Sequence, residues 1–231
     1  MDHQQLRTAF EIDTIPDIPD FGLARDLFDH FLQCTRHTFN NDQRLMANEA
    51  ERRLRDVELL AIRIHGQTKS IVERRVESLV TRIIESPGEH TDMLRILKTN
   101  GKVRISSLAD GWFHTGEDSF DGKEEKEFQM IRLDAELFYY LAHRLITCLQ
   151  YLPGLKNLKC REVAIVRNQL LEHPEKGQSG ILLSSFKFGS DTGPVIKGIR
   201  ESGYAEVHRD QGFIKNCRVL AECICSALEI S

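Results

Sequence analysis

The sequence lacks several features that would assign the chain to a specialised class of protein. It has no excess of basic charge: 31 lysines and arginines stand against 35 acidic residues, for a net charge of −4, so any nucleic-acid surface must be local. No apolar run approaches the ~20 residues that a membrane-spanning helix needs. The first residues, MDHQQLRTAFEID, lack the basic start and apolar core of a signal peptide. We therefore expect a cytoplasmic protein without membrane contact.

The chain also lacks the short motifs of common catalytic and cofactor-binding families. It contains no GxGxxG or phosphate-loop context, no HExxH and no GxSxG. Its cysteines show no paired CxxC spacing with nearby histidines, which argues against zinc. We expect no metal or cofactor, and we expect free thiols in a reducing compartment rather than disulfides. The six cysteines are Cys34, Cys148, Cys160, Cys217, Cys223 and Cys225.

Helical spacing of apolar residues dominates what is present. A first stripe, Leu54 to Ile64, and a second, Ile71 to Ile84, lie on either side of Gly66. The pattern fits a helical hairpin or one long helix with a weak point at Gly66, and it does not choose between them. Asn40 with Gln43, and Ser70 with Glu73, have the spacing of capping boxes at helix starts, and the SPG sequence at 86–88 predicts a stop.

The strongest helical pattern follows, between residues 128 and 152. Apolar side chains recur there at alternating steps of three and four, and a second apolar stripe runs beside the first. A helix that is apolar over so wide an arc is expected inside a bundle rather than at its edge. The first stripe is Phe128, Ile131, Ala135, Phe138, Ala142, Leu145, Leu149 and Leu152, and the second is Met130, Leu133, Leu137 and Leu141.

The segment REVAIVRNQLLEHP, residues 161–174, predicts a helix that carries a cluster of polar side chains. Val163, Val166, Leu170 and His173 share one seam, and Arg167 flanks it. Pro174 ends the helix. Beyond it, ILLSSFKF and YAEVH predict short strands.

The fold class predicted from these patterns is all-α: an antiparallel helical bundle with a small irregular or hairpin-like excursion around residues 175–209. We divide the chain into an N-terminal arm with helices that pack on the bundle, residues 1–123, and a helical bundle that bears the polar cluster, residues 124–231.

Arg167, Asn168 and, after four residues, His173 form a pattern that resembles the HEPN superfamily. The resemblance covers roughly residues 124–229. It implies a helical bundle that dimerises through the motif helix, so that two motifs face one cleft, and a metal-independent endoribonuclease activity. Carried over to this chain, Arg167 would polarise the scissile phosphate, His173 would act as acid or base, and Asn168 would orient one of them. The expected partners are a second copy of the chain, RNA or a nucleotide, and a cognate antitoxin or other protein.

An alternative stays open at this point: a non-catalytic helical module that binds a nucleotide or a protein partner, its motif serving a structural dimer interface. The surroundings of the motif support anion binding, with eight lysines and arginines against four acids in residues 153–200, or 8 − 4 = +4. Two acids oppose it, because Glu172 precedes His173 and Glu175 occupies a position where many nuclease members have tyrosine. His143 and Arg144 on the preceding helix either face the same cleft or form a surface pair.

Overall fold

The computed structural model describes residues 2–11, 18–19, 21–104, 122–167, 181–187, 193–200, 203–205 and 213–230. The predicted all-α class is confirmed. The helices are α1 (His3–Ala9), α2 (Gly22–Thr35), α3 (Asn41–Glu85), α4 (Thr91–Asn100), α5 (Gly122–Gln150), α6 (Arg161–Val166) and α7 (Phe213–Ile230), with a 3₁₀ turn at Arg36–Thr38.

A small three-stranded sheet forms the predicted excursion. It consists of β3 (Ile181–Lys187), β4 (Gly193–Arg200) and β5 (Gly203–Ala205), all antiparallel, with an irregularity in β3 between Leu183 and Ser185. The sequence indicated β3 and β5, whereas the middle strand was missed because its glycines and Pro194 depress strand propensity. A separate two-residue parallel pair joins β1 (Phe10–Glu11) to β2 (Val103–Arg104).

The stripes on either side of Gly66 belong to one helix, α3, about 67 Å long at 1.5 Å per residue. Asn40 caps it: its side chain accepts from the Gln43 backbone, and the Gln43 side chain accepts from the Asn40 backbone. The helix ends at the SPG sequence, as predicted. The second capping box was wrong, because Ser70 lies inside the helix and its hydroxyl accepts a hydrogen bond from Arg74.

Helices α3 and α5 run antiparallel and form the largest helix–helix contact of the described structure. Two salt bridges show the direction. Arg63 of α3 pairs with Asp134 of α5, whereas Arg74, which lies farther along α3, pairs with Glu127, which comes earlier on α5. The main core lies between these helices, α2, α6 and α7, and includes the predicted stripe of α5 from Ile131 to Leu152. The described residues of both predicted units therefore share one core, while the boundary at residue 123 itself stays a prediction.

A second, smaller core surrounds the far end of α3. Leu6 and Phe10 at the N-terminus and Leu97 of α4 pack there against the α3 residues Val76, Leu79, Val80 and Ile83. Helix α3 thus connects two hydrophobic clusters, and the main cluster is the one that supports the polar motif.

Several apolar side chains lie on the surface, including part of the α5 stripe that was expected inside a bundle. Leu23 of α2 is 57% exposed, because Ala24, Phe28 and Phe31 form the buried face of that helix. The second stripe of α5 is likewise exposed at Met130, Leu133 and Leu137. Within one chain, α5 therefore has a buried face and an uncovered apolar face.

Candidate functional site

The motif helix α6 is short in the described structure and is anchored by its apolar seam. Val163 and Val166 are fully buried in the main core, as the predicted seam requires. Helical geometry continues through Arg167, whose backbone N–H donates to the carbonyls of Val163 and Ala164. The Arg167 side chain is half-buried, since it lies beside the seam rather than in it.

Arg167 meets a histidine of the neighbouring helix. Its Nη1 atom lies 3.5 Å from Nε2 of His143 on α5, and both side chains are half-buried. A guanidinium can only donate, so a hydrogen bond in this contact requires the imidazole to accept at Nε2 and to carry its proton on Nδ1. Of the two alternatives for His143, the structure supports the one in which it faces the motif, whereas Arg144 is exposed.

The other two predicted site residues, Asn168 and His173, lie outside the described residues. The structure therefore places one of the three predicted positions, Arg167, and adds His143. The sequence signal for His143 was its position on α5, one turn after Tyr139 and in the helix expected next to the motif. Spacing alone did not separate it from a surface histidine.

An aromatic cluster lies between α5 and α7, one helical turn before His143. Phe138, Tyr139 and Phe213 are fully buried and meet edge to face, with 4.8 Å between the ring centroids of Phe138 and Phe213. Asn216 donates from Nδ2 to the Tyr139 hydroxyl at 2.7 Å. Burial raises the pKa of Tyr139, and the Asn216 bond only partly offsets this, so the phenol stays neutral. The helix turn before His143 is thereby fixed by packing.

One cysteine, Cys160, borders the motif helix at its N-terminal end. Cys160 is the N-cap residue of α6 and is buried, with Sγ 3.9 Å from Oε2 of Glu162. All six cysteines are free thiols. Cys217 is fully buried on α7, and burial raises its pKa. It is therefore a packing residue rather than a nucleophile.

Among the described residues, no group of three or more histidine, cysteine, aspartate or glutamate side chains has the geometry to hold a metal ion. The described helices also include none that is long and apolar enough to span a membrane.

Comparison of the chain with protein-family models, with curated proteins and with solved structures finds no match. The site must therefore be interpreted from its own geometry.

Proposed function

We propose that this chain is a HEPN-like protein of a stress, toxin or defence system that binds RNA beside α6 and cleaves it without a metal ion. The observation that carries the proposal is the half-buried Arg167 guanidinium held next to the His143 imidazole. A guanidinium fork matches the oxygens of a phosphodiester, and its charge is permanent. An imidazole titrates near neutral pH and can exchange protons with a substrate.

The proposed reaction uses two imidazoles. A base removes the proton of the RNA 2′-hydroxyl, the 2′-oxygen forms a bond to phosphorus, and the bond from phosphorus to the 5′-oxygen breaks. An acid gives its proton to that leaving oxygen. We assign these roles to His173 and His143, with Arg167 neutralising the phosphate and Asn168 orienting His173. The products are a 2′,3′-cyclic phosphate and a 5′-hydroxyl.

Cleavage of single-stranded RNA in the presence of a chelator tests the proposal. Loss of a positioned acid or base slows such reactions ~10²–10⁴-fold, so we expect losses of that order for His173→Ala and His143→Ala. The cleavage rate of Arg167→Ala should fall by a similar factor. The melting temperatures of all three variants should stay close to that of the wild-type protein. The matched controls are Arg161→Ala, an exposed arginine of α6, and His37→Ala, an exposed histidine of the 3₁₀ turn. Both controls should retain activity, and 2′-O-methyl RNA should not be cleaved.

Chelator-sensitive cleavage, or cleavage unaffected by Arg167→Ala and His173→Ala, would contradict the nuclease assignment. In cells, growth arrest on expression that His173→Ala relieves would agree with a toxin role. A protein that co-purifies and suppresses the arrest would be the expected antitoxin.

The proposed assembly is a homodimer formed by the uncovered face of α5. Met130, Leu133, Leu137 and Tyr140 follow one another at steps of three, four and three, and each is 43–50% exposed. His143 comes one turn after Tyr140, so a second copy on this face would bring two motifs toward one cleft. Leu137→Glu should convert the dimer to a monomer in light scattering, whereas Leu23→Glu, at a leucine of α2 that is also exposed, should not. A wild-type monomer at all concentrations would contradict this assembly.

The second candidate is a non-catalytic module that binds a nucleotide or protein partner. Two observations favour it: Arg167 already has a partner within the chain, and Glu172 adds negative charge next to His173 in sequence. In that case Arg167→Ala should lower stability or dissociate the dimer, with no RNA cleavage to lose. A nucleotide ligand would raise the melting temperature progressively with its concentration.

A further inference from the structure

The turn between α5 and α6, residues 151–160, is anchored on the bundle. Leu152, Leu155 and Leu158 recur at every third position and are buried in the main core. The backbone N–H of Leu155 donates to the Leu152 carbonyl, and that of Leu158 donates to the Leu155 carbonyl. Gln150, the last residue of α5, donates from Nε2 to the Leu158 carbonyl at 2.7 Å. Packing and hydrogen bonds therefore hold the whole turn in place.

The residues next to these leucines face water. Tyr151, which directly precedes the first of them, is 58% exposed. Lys156 and Lys159, each of which directly follows a buried leucine, are exposed as well. Because the leucines are anchored, the tyrosine ring and the two ammonium groups project from fixed backbone positions on a single turn.

This turn lies in a stretch of the chain without negative charge. Residues 137–160 contain Arg144, Lys156 and Lys159 and no aspartate or glutamate, or 3 − 0 = +3 in a chain of net charge −4. Within the described residues, neither lysine takes part in a salt bridge. Two such ammonium groups beside an exposed aromatic ring suit a single-stranded nucleic acid, since its phosphates attract the cations and its unpaired bases stack on the ring.

One strand could reach both this turn and the motif. Tyr151 comes eight residues after His143 on α5, 151 − 143, and Arg167 comes seven residues after Cys160, where the turn ends, 167 − 160. At 1.5 Å per residue these separations are about 12 Å and about 10 Å along the helix axes. A stacked strand advances about 3.4 Å per nucleotide, so about three nucleotides cover the distance.

We propose that Tyr151, Lys156 and Lys159 form a binding site for unpaired RNA, about three nucleotides from Arg167. An unpaired base stacks on the Tyr151 ring, and the two lysines bind the phosphates on either side of that base. Its assignment to RNA rests on the proposed function, whereas binding itself requires no cleavage. The site restricts the substrate to RNA that is single-stranded at the turn, because a base inside a duplex has no free face for the ring.

Fluorescence anisotropy of a labelled 2′-O-methyl oligoadenylate with the full chain tests the site, since this strand has bases that stack and no 2′-hydroxyl that reacts. Tyr151→Leu should raise the Kd about 5- to 150-fold, the factor that corresponds to one lost base stack. Tyr151→Phe keeps the ring and should bind like the wild-type chain. Inorganic polyphosphate, which has charge but no bases, should bind the wild-type chain and Tyr151→Leu equally.

The dependence of the Kd on salt tests the two lysines. The slope of log Kd against log salt concentration should fall by about 1.4 in the double variant Lys156→Ala/Lys159→Ala, because each phosphate contact of a single strand contributes ~0.7. The matched control is Lys98→Ala/Lys126→Ala, which removes the same charge from exposed lysines of α4 and of the opposite end of α5. Its slope should equal that of the wild-type chain.

A wild-type chain that binds no oligoadenylate, or one whose Kd Tyr151→Leu leaves unchanged, would overturn the site. Equal effects of the two double-lysine variants would overturn it too, as would an acidic protein that binds through the lysines regardless of Tyr151→Leu. The cleavage assay decides the proposed function separately, because Arg167→Ala and His173→Ala do not alter the turn. Binding that depends on Tyr151 in a chain that cleaves no RNA would support the site and contradict the nuclease assignment.

Discussion

The side-chain amide of Asn216 on α7 donates a hydrogen bond of 2.7 Å to the hydroxyl of Tyr139 on α5, with both side chains fully buried. This is a polar contact inside the main core, one helical turn before His143. It connects residues 77 positions apart in the chain, and it fixes how α5 and α7 rotate against each other.

Tyr139→Phe should lower the free energy of unfolding by about 1–3 kcal/mol, because it takes the acceptor away from a buried amide. The matched change is Phe138→Leu, which alters the adjacent ring of the cluster without removing a hydrogen bond. A double-mutant cycle of Tyr139→Phe with Asn216→Leu, measured by urea unfolding, isolates the pair. Additive losses would contradict the inferred coupling.

The two partners of the Arg63–Asp134 salt bridge between α3 and α5 differ in solvent exposure. Removing one partner should therefore cost more stability than removing the other. Nε of Arg63 donates to Oδ2 of Asp134 at 2.6 Å, and a second nitrogen donates to the other oxygen. The Asp134 side chain is 6% exposed and the Arg63 side chain 52%. Removal of Arg63 leaves a buried carboxylate without compensation, whereas removal of Asp134 leaves a cation that water can solvate.

Arg63→Met should therefore cost about 3 kcal/mol, near the lower bound for breaking a buried pair. Asp134→Asn should cost about 1 kcal/mol, because the amide oxygen still accepts from Arg63. The control is Arg55→Met, which breaks the exposed pair with Glu51 on the same helix and should cost less than 1 kcal/mol. Equal losses for Arg63→Met and Asp134→Asn in chemical denaturation would refute the asymmetry.

The sequence predicted the helices well where one periodic pattern controlled both local propensity and packing. The capping box at Asn40 predicted the start of α3, and the stripe from Ile131 to Leu152 predicted the buried face of α5. It could not decide what happens at Gly66. The helix continues there because Ile64, Thr68 and Ile71 are buried on either side, and their packing outweighs the ~1 kcal/mol that glycine costs a helix.

Side-chain exposure was harder to predict than helix position. The second stripe of α5 is as apolar as the first, yet Met130, Leu133 and Leu137 lie at the surface. Periodicity reports which residues share a face and does not report what covers that face. The same limit applies to the site: Arg167 was predicted from the motif, but its contact with His143 depends on how α5 and α6 pack.

Gly66 inside α3 and Gly101 at the end of α4 should respond to substitution by alanine in opposite directions. Gly66 lies inside α3, and a Cβ built there meets no atom within 4 Å. Gly66→Ala should stabilise the protein by up to about 1 kcal/mol. Gly101 ends α4 with φ of 71°, so Gly101→Ala should destabilise by about 1 kcal/mol through left-handed strain. Thermal unfolding monitored by circular dichroism measures both, and a destabilised Gly66→Ala would contradict an unhindered continuous helix.

Glu49 on α3 makes part of the stability depend on pH. Burial raises the pKa of its carboxyl, but hydrogen bonds from Arg53 and Arg52 outweigh this and leave the pKa below its usual 4.5. A lowered pKa in the folded state means that the contribution is present above about pH 4.5, the reference value, and is lost as the pH falls through the folded-state pKa. Glu49→Gln should cost less than about 1 kcal/mol at pH 7, as expected for partly exposed pairs, and less at pH 3, where a larger fraction of the carboxyl is protonated.

The control for that change is Glu73→Gln, an exposed glutamate that makes no salt bridge within the described part of α3. Its effect should be near zero at both pH values. A Glu49→Gln loss that is the same at pH 3 and pH 7 would mean that packing, rather than charge, accounts for it.

The Arg167–His143 contact predicts which ring nitrogen of the neutral His143 imidazole carries the proton. Because the guanidinium only donates, a hydrogen bond in this contact requires Nε2 of His143 to accept and the proton to occupy Nδ1. Long-range ¹⁵N–¹H correlation spectra above the titration range should show that tautomer in the wild-type protein, and Arg167→Met should weaken the preference. Arg161→Met, at the exposed start of α6, should leave the His143 signals unchanged. A wild-type imidazole with its proton on Nε2 would remove the contact and, with it, the support that His143 gives to the proposed acid–base pair.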